Sequence, residues 1–123
     1  MAAVGSAYAT GEGVEIDYGK ARNYLRKAEK KGDARAVERL GYLYQHGFGV
    51  RRNYTIAVNK YKVAAANGNS AAMVALGMML ETGNGIVADL GKAIAWYRSA
   101  VANGSAVAQR KMAGFLLDRK SVV

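Results

Sequence analysis

Residues 36–68 read AVERLGYLYQHGFGVRRNYTIAVNKYKVAAANG, and residues 72–104 read AMVALGMMLETGNGIVADLGKAIAWYRSAVANG. Laid over one another without a gap, they agree at Ala36 and Ala72, Leu40 and Leu76, Gly41 and Gly77, Gly47 and Gly83, and Gly49 and Gly85. Further along, Ala57 and Ala93, Tyr61 and Tyr97, Ala64 and Ala100, and Gly68 and Gly104 also coincide. Every pair is 36 residues apart, and the register extends in both directions. Gly5, Gly11, Gly13, Ala21, Leu25, Ala28 and Gly32 fall one period earlier, and Ala108 and Met112 one period later. A period of this length marks a chain of stacked supersecondary units.

Each unit reads as two helices. Ala36, Leu40 and Tyr44 recur every four residues and mark one face of a first helix, helix A. Gly47-Phe48-Gly49-Val50 follows as a turn, because glycine takes positive φ freely. Asn53, with Asp17 and Asp89 in the same column, stands where an N-cap accepts a hydrogen bond from the amides of the next helix. That second helix, helix B, carries Ala57, Tyr61 and Ala64 on one face and stops at Asn67-Gly68. The small columns let helices approach closely, and the Leu and Tyr columns fill the space between them. The predicted elements are a helix A fragment at 2–10, B at 18–31, A at 34–46, B at 54–67, A at 70–82, B at 90–103 and a last A at 105–119. These seven helices make the chain all-α, a solenoid of antiparallel helix pairs.

The ends read differently from one another. The counterpart of Ala36 would precede Met1, so the chain is expected to start inside a helix A, as the C-terminal part of a longer array. The last helix ends on Asp118-Arg119-Lys120 instead of a Gly-x-Gly turn and reads as a cap, its basic residues suited to the negative helix end. The expected domain organisation is one domain over 1–123: a partial repeat at 1–34, repeats at 35–70 and 71–106, and a capping helix at 107–123.

Composition narrows the function classes. An apolar fraction of 51% with 22% charged residues excludes a disordered chain. The absence of cysteine excludes disulfides and thiolate metal sites. Eighteen Lys and Arg against nine Asp and Glu give a net charge of +9, which favours acidic partners. Met1 to Tyr8 lacks a basic region followed by an apolar run, so it does not read as a signal peptide, and no stretch is long enough to span a membrane. Cytoplasmic, periplasmic and secreted settings are all compatible.

The pattern Ala36-x3-Leu40-Gly41-x2-Tyr44-x2-Gly47-x-Gly49-Val50-x2-Asn53-x3-Ala57-x3-Tyr61-x2-Ala64-Ala65-x2-Gly68 resembles a Sel-1-like repeat, a relative of the tetratricopeptide repeat. The following copy carries Asp89, Lys92-Ala93 and Trp96-Tyr97, also typical of that family. Departures are few: Thr55-Ile56 stands where Lys is usual at 56, and Met112-Ala113 where Leu-Gly is usual. The resemblance implies a right-handed superhelix with the A helices lining its concave face. It also implies an adaptor that binds a protein or peptide, with no shared catalytic residues and no cofactor. Bacterial members also act as immunity proteins that neutralise secreted effectors, which is the alternative role the resemblance offers.

With Ala36, Leu40, Gly41 and Tyr44 committed to the core, the opposite stripe of that helix is Arg35, Glu38, Tyr42, Gln45 and His46. Its counterparts are Ala71, Val74, Met78, Glu81 and Thr82, then Val107, Arg110, Gly114 and Leu117. Tyr42 and Met78 stand where a solvated helix would carry charge, and such side chains are enriched at protein interfaces. The expected partner-binding groove is therefore Arg35, Glu38, Tyr42, Gln45, His46, Val74, Met78, Glu81, Thr82 and Arg110. The competing expectation is that Tyr42 and Met78 pack between neighbouring A helices.

Two other readings are weaker. Lys20, Arg22, Arg26, Lys27, Lys30 and Lys31 on one B helix, with Arg51-Arg52 in a turn, could attract an anionic partner. Only Tyr18 and Tyr24 interleave with them, and an outer helix gives no groove for nucleic acid, so a solvated basic face is the simpler account. Catalysis finds no residues: His46 is the single histidine, and Glu12 and Glu15 flank a turn. The Gly-x-Gly turns lack the Gly-Lys-Ser/Thr ending of a phosphate loop.

Overall fold

The computed structural model describes Gly5, Ala9, Thr10 and residues 16–122, with side chains to residue 115. Six full helices follow in order: α1 (Tyr18–Lys30), α2 (Ala34–His46), α3 (Tyr54–Ala66), α4 (Ser70–Thr82), α5 (Leu90–Ala102) and α6 (Ala106–Val122). Of the helix expected at 2–10, Gly5, Ala9 and Thr10 are helical, and the rest lies outside the described residues. No strand occurs among the described residues. The helix bounds follow the period, so α2 and α4 are A helices and α1, α3 and α5 are B helices. The last helix runs to Val122, past the end expected at 119. The reason is local: Arg119 occupies the column of Gly47 and Gly83, so no left-handed residue is there to stop it.

The punctuation is chemical. Asp17, Asn53 and Asp89 cap the B helices, their side chains accepting from the amides of Lys20, Ile56 and Lys92 at 3.0 Å each. Each B helix then closes with paired hydrogen bonds. In α3, Asn69 N–H donates to Ala64 C=O at 3.1 Å and Gly68 N–H to Ala65 C=O at 3.0 Å, the Schellman arrangement that satisfies the last carbonyls. Asn69 then turns to the next helix and accepts from Ala72 N–H at 2.9 Å. Asp33 and Ser105 do the same for α2 and α6. One residue thus seals one helix and opens the next, which keeps the B-to-A turn to three residues and the period invariant. Sequence reading overlooked these A-helix caps, although Asp33, Asn69 and Ser105 directly follow the glycine column.

Packing runs between chain neighbours, most closely in the pairs α2–α3 and α4–α5. Glycine at the crossing explains both. A Cβ at Gly41 would lie 2.8 Å from Tyr61 Cε1, and one at Gly77 2.6 Å from Tyr97 Cε1. The tyrosine rings occupy that gap and are almost wholly buried, each contributing about 1.5–3 kcal/mol. The A-to-B turns brace successive repeats. Gly49 has φ +72 and would place a Cβ 2.5 Å from Tyr18 Cβ, while Gly85 sits equally close to Tyr54. The core divides in two. Leu25, Ala28, Ala36, Leu40 and Leu43 form a smaller cluster, and a larger one runs from Val37 through α3, α4 and α5 to Ala108.

Candidate functional site

The A helices present the stripe whose members the sequence singled out. Tyr42 and Met78 are 40% and 42% exposed, so neither is consumed by packing. Tyr42 lies 4.4 Å from the His46 ring, and His46 stacks at 5.4 Å on Phe48, which stacks at 4.8 Å on Tyr18. This aromatic run links the groove to the A-to-B turn, and Phe48 had no place in the sequence expectation. Arg35, His46, Thr82 and Arg110 are exposed. Thr82 donates back to the Met78 carbonyl at 3.2 Å.

Three members of the stripe have a structural duty. Val74 is only 7% exposed and belongs to the larger core cluster, so it is corrected from a groove residue to a packing residue. Gln45 accepts the Tyr61 hydroxyl at 2.6 Å, and Glu81 accepts the Tyr97 hydroxyl. These acceptors satisfy phenols that would otherwise be buried unpaired. The signal was present in the sequence: acceptor and tyrosine are 16 residues apart in both repeats, and the preceding pair, Ala9 and Leu25, lacks both polar groups. Burial raises the phenol pKa of Tyr61, with Glu38 and Tyr42 adding to it. Tyr97 is raised likewise by burial and by its bond to Glu81.

Glu38 is half-buried, its Oε2 3.6 Å from Arg39 Nε. Burial pushes its carboxyl above the usual range, and Arg39 and Arg35 pull it only part of the way back. At the other end of the stripe the column of Tyr42 and Met78 falls to Gly114. There a hollow of about 320 Å³ opens between Glu81, Val107, Arg110, Lys111 and Phe115. Leu117 lies beyond the described side chains.

The basic residues are less scattered than the linear reading suggested. Arg22 of α1 meets Arg51 and Arg52 of the turn in a second hollow, of about 450 Å³, with Tyr44, Asn53 and Ile56. Lys20, Arg26, Lys27 and Lys30 are exposed on α1, and Lys31 is exposed at its C-cap. Among the described residues no three His, Cys, Asp or Glu side chains gather into a metal-binding group, and Glu12 and Glu15 lie outside them. No helix among the described residues is long and apolar enough to cross a membrane.

The pattern described as the Sel1 repeat matches residues 1–33, 34–69 and 70–105. No curated protein matches the chain. Among solved structures, it is similar to a protective antigen of uropathogenic Escherichia coli strains displaying an SLR fold, at 30% identity and a TM-score of 0.81 over 97% of this chain and 25% of that one. It is similar to a Sel1 repeat protein from Oxalobacter formigenes at 32% identity and a TM-score of 0.78, over 86% of this chain and 44% of the other. Helicobacter pylori cysteine rich protein B aligns at 26% identity and a TM-score of 0.71, over 76% and 70%. The chain therefore spans less than half the length of the first two relatives.

Proposed function

The chain belongs to the Sel1 repeat family, a family of non-catalytic scaffolds that generally bind other proteins, and on that premise we propose that it holds a protein segment along its A-helix stripe. The observation that carries this is the pair Tyr42 and Met78, two large side chains in one repeat column that stay about two-fifths exposed. A scaffold gains little from leaving them there, whereas a ligand gains two anchors on a preformed surface without having to order it. The hollow at Gly114 would take a bulky apolar side chain of the same segment. Arg35 and Arg110 flank the stripe, and with a net charge of +9 they favour a segment carrying carboxylates.

A photo-crosslinking amino acid placed at position 42 or 78 should capture the partner, while one at Val63, 53% exposed on the B helix α3, should not. With the captured partner in hand, Tyr42→Ala with Met78→Ala should weaken binding by roughly 30-fold or more. The unfolding transition should stay cooperative, its midpoint lowered only by the lost ring contacts of Tyr42 with His46 and Phe48 and the partly buried Met78. Unaltered affinity would remove the stripe from the interface.

A further inference from the structure

We propose that Arg22, Arg51 and Arg52 form a second site, separate from the A-helix stripe, that takes the carboxylates of an acidic peptide segment. The argument starts from the repeat. One period later, Arg22, Arg51 and Arg52 become Val58, Val87 and Ala88, and Tyr44 becomes Leu80. Val58 and Leu80 are both 2% exposed. The next repeat therefore fills the Arg22 and Tyr44 columns with buried apolar side chains and leaves the Arg51 and Arg52 columns as exposed Val87 and Ala88, so the fold needs arginine at none of the three.

Three guanidiniums in one hollow repel each other unless an anion joins them. Among the described residues none of the three is ion-paired to a carboxylate, and the Nε of Arg22 is buried without a hydrogen-bond partner. Leaving such a donor unsatisfied is unfavourable, and a bound carboxylate would relieve it. The neighbouring groups are oriented for the same guest. Arg26 donates to the Tyr44 hydroxyl at 3.3 Å, so that hydroxyl's own proton is left to donate. Asn53 uses Oδ1 to cap α3, accepting from Ile56 N–H, which leaves its NH₂ as a donor. The positive N-terminal end of α3 opens onto the same hollow. Arg52 lies over the Tyr54 ring at 5.1 Å, which holds its planar fork in place. Tyr44 is the one aromatic side chain lining the hollow among the described residues, and a single ring tied to Arg26 is no run of platforms for successive bases, which favours a peptide over nucleic acid.

The test is fluorescence anisotropy of the full chain with fluorescein-labelled hexaglutamate. Arg51→Gln with Arg52→Gln should weaken binding by about tenfold or more, since both side chains are exposed and bind the anion directly. Lys30→Gln with Lys31→Gln removes the same charge from the same basic surface outside the hollow, and should change affinity by no more than about threefold. Equal losses in the two pairs, or no binding by the wild type, would overturn the site. Arg22→Met keeps the aliphatic stem and removes the guanidinium with its buried, unpartnered Nε. It should lose peptide binding while its Tm rises by about 3–5 °C. A fall in Tm with unchanged affinity would make Arg22 a packing residue and overturn the proposal. Inorganic phosphate should compete no better than chloride at equal ionic strength; strong competition by phosphate would overturn the carboxylate assignment. Because none of these positions is on the A-helix stripe, the result is independent of Tyr42 and Met78.

Discussion

At the scale of single residues, the positions that break the period separate into those that pack and those that do not. Glu38 and Val74 share a column. Val74 satisfies its buried place with apolar surface, and Glu38 brings a carboxylate to much the same place. Its folded pKa is raised above 4.5 by burial, so the folded chain holds the proton more tightly than the unfolded one. Below that pH both states are protonated and the group is neutral to stability. As pH rises through the window above it, the charge opposes folding. Glu38→Gln should therefore have a higher Tm than the wild type at pH 7, and the gap should close as the pH falls to about 4. A gap of the same size at both pH values would show that ionisation of Glu38 is not the cause.

At the scale of elements, the same residue type has opposite worth on different helices. Gly77 and Gly114 are both helical, and alanine is the better helix former by about 0.5–1 kcal/mol. A Cβ at Gly114 meets nothing within 4 Å, so Gly114→Ala should stabilise the chain by about that amount. At Gly77 the Cβ would come within 2.6 Å of the fully buried Tyr97 ring. The ring is held by its bond to Glu81 and has no free direction, so Gly77→Ala should destabilise by about 1–2 kcal/mol. Urea unfolding of both variants checks the pair, and the same sign for both would refute the close-approach account of α4 and α5.

At the scale of the whole molecule, contacts run along the chain and the core is in two parts. Helices α3, α4 and α5 contribute their buried side chains to the larger cluster, whereas α1 contributes Leu25 and Ala28 to the smaller one. In a solenoid each unit is stabilised mainly by its neighbours, so opening is expected to be graded along the array. Hydrogen exchange should show α1 opening at a lower free energy than α4. Uniform protection across both would mean the array unfolds as one block.

The sequence by itself determined the six described helices, the B-helix caps and the two turn types, because each depends on residues close together that repeat every 36. Gly41, Gly77, Tyr61 and Tyr97 were recognisable as scaffold for the same reason. Only the tertiary structure decided which members of the A-helix stripe stay free. Val74 sinks into the core, and the 16-residue spacing of Gln45 and Glu81 to Tyr61 and Tyr97 becomes a hydrogen bond, only because a B helix crosses there. The same is true of Arg22 and Arg51. They are 29 residues apart in the chain, and only the stacking of one repeat's turn on the preceding B helix brings their charges into a single hollow.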